Sequence, residues 1–417
     1  MDTRGFVIEF FHVITADQFV ERLARFPRLG SEIVPLDDAV GRILVSDIAA
    51  REDLPEGARS TVDGYAVRAA DTFGASESIP ALLELARPVL MGVIPDFELL
   101  PGQAAPILTG GFLPKGSDAV VMVEYSNAAG LGAIETSHPV TLRTNVVDRG
   151  EDARAGEPQL HAGKKLRPQE IGFLAALGYA EVEVRRRPKT AIISSGDEVI
   201  PVEKKPLPGQ IRDANGHSVA ALVRAAGGIP IQFDIVPDNA EMLDKTLRDA
   251  LATADVVTLS GGSSVGTRDL MASCVAALPG AEILAHGVTI KPGKPTLLGR
   301  QGDKAIFGLP GHPVSALVIA QIFLVPFLDY LRGAPLKKGP AGHEVRATLA
   351  SSLHSEIGLE DYIRVRVEEA EDGTLTAYPV LGKSGMLSTL ARADGIVRVP
   401  MNAEGLSRGE NVTVIKY

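Results

Sequence analysis

The chain has 417 residues and a formal net charge of −10, from 42 Lys+Arg against 52 Asp+Glu. With 45% hydrophobic and 23% charged residues it is not a disordered chain, and its length suggests roughly three domains. An acidic total argues against broad nucleic-acid binding, and a single cysteine, Cys274, excludes an intrachain disulfide, a cysteine zinc cluster and a CxxC pair.

The N-terminus (MDTRGFVIEFFHVITADQ) carries Asp2, Glu9 and His12 without a small-residue cleavage pattern, so no export signal is expected. Thr15 and Gln18 form a Thr-x-x-Gln capping box, with Ile14 and Phe19 spaced as a hydrophobic staple. A helix is expected over 15–26, and strands around GRILVSDI. Residues 52–146 read as an all-β module, with AVRAAD, PVLMGVI, AVVMVEY and PVTLRT as candidate strands between Gly/Pro turns. A helix follows at 167–178, with Pro168 suited to its first turn.

From 186 to 332 strand and helix alternate, which implies a parallel sheet covered by helices on both faces. Ligands of such sheets bind outside the carboxyl ends of the strands. Cys274 sits in an apolar helical run (MASCVAAL) and reads as a buried, inert thiol in a reducing, cytoplasmic compartment. The longest apolar stretch, Ala316 to Leu328, is interrupted by Gln321 and Pro326 and reads as a buried helix too short to span a bilayer, so no membrane is expected. Residues 336–417 return to short strands (EVRATLA, DYIRVRVEE, TLTAYPV, GIVRVP, NVTVIKY).

Three strand ends run into Gly-rich turns and then helices: SSGDE (194–198), SGGSSVG (260–266) and GLPGHP (308–313). Glycine admits close approach of a ligand to the backbone, and helix N-termini offer free N–H groups, so together they make a phosphate cradle. No Walker or GxGxxG spacing is present at these turns. KPGKP (291–295) holds two lysines on a loop stiffened by prolines; it is either a solvated turn or a clamp for a small oxyanion. Asp63, Asp197, Glu198, Asp213, Asp238 and Asp269 all sit in loops or turns. Each has an ordinary role as a turn former, or as a helix cap for Asp238, but acids beside a phosphate cradle suggest Mg²⁺.

In order along the chain, STVDGYAV (60–67), LTGGFLPKGSDAVVMVE (108–124), RGEDARAG (149–156), ISSGDEV (193–199), GQIRDANG (209–216), LSGGSSVGTRD (259–269), IKPGKPT (290–296) and GLPGHPVSA (308–316) resemble the MoeA/gephyrin family of molybdopterin molybdenumtransferases. The resemblance implies an α/β plus β, multi-domain fold. A central three-layer α/β (molybdopterin-binding-like) domain would span 186–335, and a C-terminal β-barrel-like domain 336–417. A β domain carrying DGYA, at 52–146, would be inserted in a discontinuous linker/dimerisation domain, 1–51 and 147–185. It further implies a cytoplasmic homodimer whose cleft takes the α/β domain of one subunit and the β domain of the other. The implied reaction is Mg²⁺-dependent insertion of molybdate into adenylylated molybdopterin with release of AMP, followed by handover to molybdoenzymes or cofactor chaperones.

By motif, the resemblance gives catalytic roles to Asp63, Glu198 and Asp269, and metal binding to Asp238 and Asp269. Substrate binding falls to Thr109, Asp152, Ser195, Asp213, Gly261, Gly262, Ser263, Ser264, Gly266, Pro310 and Gly311. Lys291, Lys294, Ser315, Arg364 and Ser384 match the family's molybdate pocket. His312, Ser263, Ala214 and Gly287 depart from the family's commoner Asn, Val, Ser/Thr and Lys, which bears on oxyanion selectivity, tungstate included. The other readings are a non-catalytic gephyrin-like scaffold, which could lose Asp63, Glu198 and Asp269, and a molybdopterin adenylyltransferase, whose fold resembles 186–332 alone.

Overall fold

The computed structural model describes residues 13–417 apart from 131, 262–264 and 341, with the backbone alone of 265–269. The residues gather into two compact units. One takes the chain up to Glu32 together with Gly41–Ile43 and Val184–Tyr417; the other takes Ile33–Val40 and Leu44–Glu183.

The first unit opens with helix α1, Ala16–Leu23, capped by the expected box: Thr15 accepts from the Gln18 N–H while Gln18 reaches back to Thr15 N–H. Such a cap contributes about 1 kcal/mol. Ile14 and Phe19 are both buried, and Phe19 stacks on Phe323 at 4.1 Å. The central sheet has strands β1 Lys189–Ser195, β2 Ile229–Gln232, β3 Val256–Gly261, β4 Ala281–His286, β5 Leu297–Gln301 and β6 Lys304–Leu309, in spatial order β2-β1-β3-β6-β5-β4. The first four in that order are parallel, as expected; β5 and β4 add an antiparallel edge that the alternation pattern did not announce.

Helices α2 Ala214–Ala225, α3 Ala240–Thr253 and α4 Val265–Ala277 follow β1, β2 and β3. A last helical run, α5, covers Pro313–Leu331, with a π-turn at Ala320–Leu324. Side chains alternate across each strand. Ile192 and Phe307 meet Val223 and Phe323 on one face, while Ile193 and Ile306 share the other with Leu247 and Val275. Cys274 lies in that second layer, where burial pushes its thiol up, as an inert core residue requires. At 19 residues α5 is longer than the interrupted apolar stretch suggested, and is long and apolar enough to cross a membrane; 72% of its most apolar 18-residue window is instead buried inside the protein, as in a core helix.

Strands β7 His343–Leu349, β8 Glu360–Glu369, β9 Leu375–Pro379, β10 Gly395–Val399 and β11 Asn411–Lys416 close on themselves in the order β8-β9-β7-β11-β10-β8. This five-strand barrel is the C-terminal β-barrel-like domain expected from the resemblance. Its β8 also pairs in parallel with Ile290–Lys291, Lys291 lying opposite Asp361.

The second unit holds a six-stranded sheet in the order Ala119–Met122, Gly64–Val67, Gln103–Ile107, Ala81–Leu85, Ala133–Thr136, Ser126–Ala128. The helix Pro168–Ala176 begins on Pro168, as its sequence suggests. Two expected strands are absent for local reasons. PVLMGVI turns at Gly92, whose φ of +73° suits glycine. PVTLRT ends in a Thr141–Thr144 turn, with Arg143 and Asn145 at φ of 67° and 58°, a left-handed backbone no strand accepts. GRILVSDI keeps only Ile48–Ala49 as strand.

Candidate active site

In the second unit, Asp63 sits in the turn before Gly64–Val67. Its Oδ1 accepts from both Thr109 N–H (2.7 Å) and Thr109 Oγ1 (2.8 Å). These donors, the backbone one first, hold the Asp63 carboxyl below its usual range. The glycine of DGYA is fixed sterically, since a Cβ on Gly64 would stand 1.9 Å from the Val121 carbonyl oxygen. Asp63 and Thr109 are therefore brought together, as the motifs suggested. Asp152 is exposed on a separate turn, its N–H donating to Leu54 O at 3.0 Å.

In the first unit the strand order reverses between β1 and β3, and the helices that follow them, α2 and α4, pack on opposite faces. A cavity of about 380 Å³ opens at the carboxyl ends of these two strands. Such a switch point is where ligands bind in this architecture. Its walls include Ser195, Glu198, Asp213, Gly261 and Gly311, five residues that the sequence motifs had singled out. Asp213 caps α2, its Oδ1 accepting from Gly216 N–H at 2.8 Å. Asn215, which the motifs did not single out, donates from Nδ2 to Gly311 O at 2.9 Å and ties α2 to the GLPG turn. Pro310 is buried just before that turn. The Ser195 hydroxyl is buried with no hydrogen-bond partner among the described residues, so it is available to a ligand in the cavity it lines. Gly262, Ser263 and Ser264 lie outside the described residues, as does the side chain of Asp269; the backbone of Gly266 and Asp269 belongs to α4.

Asp238 lies on an exposed turn before α3, its N–H donating to Asp197 Oδ1 at 3.1 Å. The cap of α3 is Asn239, whose Oδ1 accepts from Met242 N–H, so the capping role considered for Asp238 belongs to its neighbour. No group of three or more potential metal-binding side chains comes together among the described residues. Asp197 and Asp238 offer carboxylate oxygens, the donor type Mg²⁺ takes one or two at a time alongside phosphate and water.

A second cavity, of about 590 Å³, lies where α5 and the KPGKP loop meet the barrel. It gathers Lys291, Lys294, Ser315, Arg364 and Ser384, which come from four separate motifs. The loop is pressed onto α5: Gly293 has φ of +125°, and a Cβ there would stand 2.4 Å from Ile319. Ser315 is buried in the first turn of α5. Arg364 is 7% exposed; it donates from Nη2 to Gly382 O at 3.0 Å, while its Nε has no partner among the described residues. Burial pulls this guanidinium below its usual value, offset only in part by nearby negative charge, Asp361 included. The two cavities share a wall. His312 lines the first and Ser384 the second, and His312 Nδ1 lies 3.0 Å from Ser384 Oγ. Val314 N–H also donates to Ser384 O at 3.1 Å.

Residues 14–178 match the model of the MoeA N-terminal region (domain I and II), 191–330 that of a probable molybdopterin binding domain, and 346–417 that of the MoeA C-terminal region (domain IV). The chain belongs to the MoeA family of molybdopterin molybdenumtransferases. A molybdopterin molybdenumtransferase of Bacillus subtilis is 32% identical, over 96% of this chain and 94% of its own. One from Nostoc is 36% identical, over 94% of this chain and 90% of its own. The crystal structure of a molybdopterin biosynthesis MoeA protein from Pyrococcus horikoshii superposes with a TM-score of 0.80, at 35% identity, covering 97% of this chain and 99% of that one. The family resemblance read from the motifs and the α/β-plus-barrel fold class are thereby borne out. Within this MoeA-family chain, Asn215, His312 and Asp361 are site residues that motif reading passed over or noted only as a departure. The quoted stretches GQIRDANG and GLPGHPVSA contained the first two.

Proposed function

We propose that this MoeA-family enzyme acts in molybdenum cofactor biosynthesis by inserting molybdate into adenylylated molybdopterin, with release of AMP and dependence on Mg²⁺. The observation that carries this reading is the pair of adjoining cavities in one unit. One is lined by glycines, serines and helix N-termini, the other by lysines and an arginine, with the His312–Ser384 contact between them. The first suits the pterin and its phosphates, since N–H groups at helix starts favour anions without a net positive surface. The second suits a tetrahedral dianion, which needs several convergent donors.

On this reading Ser195, Asp213, Gly261, Gly311 and Pro310 shape the pterin–phosphate side, and Gly262, Ser263, Ser264 and Gly266 are assigned to the same ligand by motif. Lys291, Lys294, Ser315, Arg364 and Ser384 hold molybdate. Asp238 and Asp269 would hold Mg²⁺, whose chemistry is to neutralise phosphate charge. Glu198 and Asp269 act on the α/β side of the cleft. Asp63, oriented by Thr109, and Asp152 join from the β domain of a second subunit in a cytoplasmic homodimer of four-domain chains, which hands its product to molybdoenzymes or cofactor chaperones.

The test is AMP release from adenylylated molybdopterin, with and without molybdate and with and without EDTA. Release that needs molybdate and is lost in chelator, then restored by Mg²⁺, is the expected outcome. Release indifferent to molybdate would remove the insertion step, and full activity in chelator would make Asp238 and Asp269 structural.

A further inference from the structure

A carboxylate stands among the cations of the second cavity. Asp361 lines it beside Lys291, Lys294 and Arg364, with its side chain only 8% exposed. Its Oδ2 lies 3.6 Å from Lys291 Nζ and accepts a 3.3 Å hydrogen bond from Ser355 Oγ. The placement is set by backbone, because β8 pairs with Ile290–Lys291 in a register that puts Asp361 opposite Lys291. A fixed negative charge in a cavity for a dianion works against binding, and burial leaves little solvent to screen it.

The surrounding charges define the problem. Lys291 also reaches the exposed Glu356, at 3.5 Å. Arg364 lies on the same strand, while Lys294, His354 and Lys383 line the remaining wall. The neighbouring Glu360 is already engaged, accepting from Arg398 at 2.8 Å and from the Tyr362 hydroxyl at 3.0 Å. Asp361 and Lys291 therefore form a pair whose cation is wanted by any incoming anion.

We propose, building on the molybdate reading of this cavity, that Asp361 is the resting counter-ion of Lys291 and is exchanged for the oxyanion. Lys291 turns to the incoming dianion, and Asp361 takes up one proton from solvent and stays in place as the neutral acid. No bond to the oxyanion is made or broken in this exchange. Burial already pushes the Asp361 carboxyl up from its ordinary range, and Lys291 is the first of the groups that pull it back down. Drawing Lys291 away removes that pull, and the dianion adds a push in the same upward direction. Asp361 is thus a group that couples oxyanion affinity to pH: binding strengthens as pH falls.

Isothermal titration of molybdate alone into the full-length protein at neutral pH, in buffers of low and high ionisation enthalpy, counts the protons. Between about half a proton and one should be taken up per molybdate bound. In Asp361→Asn that uptake should vanish, and molybdate should bind about three- to ten-fold more tightly, because the opposing charge is gone. Glu356→Gln should retain the uptake, since Glu356 is exposed and does not line the cavity. Asp361→Ser gives the same readout should the Asn variant fold poorly, and the wild-type proton count needs no variant. Binding without proton uptake, unchanged uptake in Asp361→Asn, or weaker binding in that variant would each overturn the exchange while leaving the molybdate pocket standing. Absence of molybdate binding to the wild type would instead overturn the pocket, and the exchange with it.

Discussion

The two cavities of the first unit are built from different materials. The one at the ends of β1 and β3 is made of turns, hydroxyls and helix starts, and its wall carries Glu198 and Asp213. The one against the barrel is made of long cations, with a single arginine buried almost completely. Backbone N–H groups are fixed in place and fit an extended ligand that presents phosphates along its length. Flexible ammonium groups and one buried guanidinium fit a small, compact anion. An acidic chain can thus serve two anionic ligands without a basic surface, by building each attraction locally.

This contrast is broken most severely by removing a cation. Lys294 is exposed at the cavity mouth. A charge-assisted hydrogen bond contributes about 1.5–3 kcal/mol, so Lys294→Ala should raise the molybdate needed for turnover roughly ten- to hundred-fold, with pterin affinity nearly unchanged. Lys294→Arg should restore only part of this, because a planar fork does not replace a point charge in a small pocket. Loss of pterin affinity with an unchanged molybdate response would reassign the KPGKP loop to the phosphate.

A smaller effect of opposite distribution is expected from Ser195→Ala. This hydroxyl has no partner among the described residues, so deleting it breaks no visible hydrogen bond, and the melting temperature should hold or rise slightly. Affinity for the adenylylated pterin should fall about five-fold, as for one lost neutral hydrogen bond, with the molybdate response intact. Unaltered pterin affinity would mean that this side of the cavity stays empty in the complex.

The smallest change sharpens the comparison of two aspartates. Asp63 is exposed and held low by Thr109, whereas Asp361 is buried and pushed up. A depressed carboxyl contributes stability that is fully present above its unfolded value and is lost as pH falls through the folded one. In Thr109→Val the hydroxyl donor goes and the backbone donor remains. The Asp63 carbon resonance should therefore titrate at higher pH than in the wild type, while Asp361 stays where it was. A midpoint for Asp63 that does not move would show that the Thr109 N–H alone orients it.

Elements whose signals are local were legible in the sequence. The Thr15–Gln18 cap, the Pro168 helix start and the GLPGHP turn from β6 into α5 depend on residues within a few positions of one another, whereas SSGDE leads into a short strand, Val199–Ile200, and α2 begins only at Ala214. The central β1, β2, β3 and β6 followed from alternation, and the cluster of Lys291, Lys294, Ser315, Arg364 and Ser384 from motifs matched one by one. What escaped depends on partners distant in sequence or on backbone angles. AEILAH and LLGRQ became strands because β6 supplies an antiparallel edge for them. PVTLRT failed because Arg143 and Asn145 turn left-handed. Asp361 lay inside a motif read for its arginine; its importance comes from the register with Lys291, which no spacing within DYIRV reveals.

That same register has a consequence for the order in which the molecule is made. A chain emerging from its N-terminus completes β1 to β6 and α5 by Leu331, so the strand-end cavity has most of its walls before any barrel strand exists. Ile290–Lys291 then waits as an unsatisfied edge until β8 arrives, and β8 is held in the barrel only when β10 and β11 have closed the ring. The half of the enzyme proposed to hold the smaller anion is therefore the last to be finished during synthesis. A nascent chain arrested before Gly395 would carry a nearly formed first cavity and an unfinished second one.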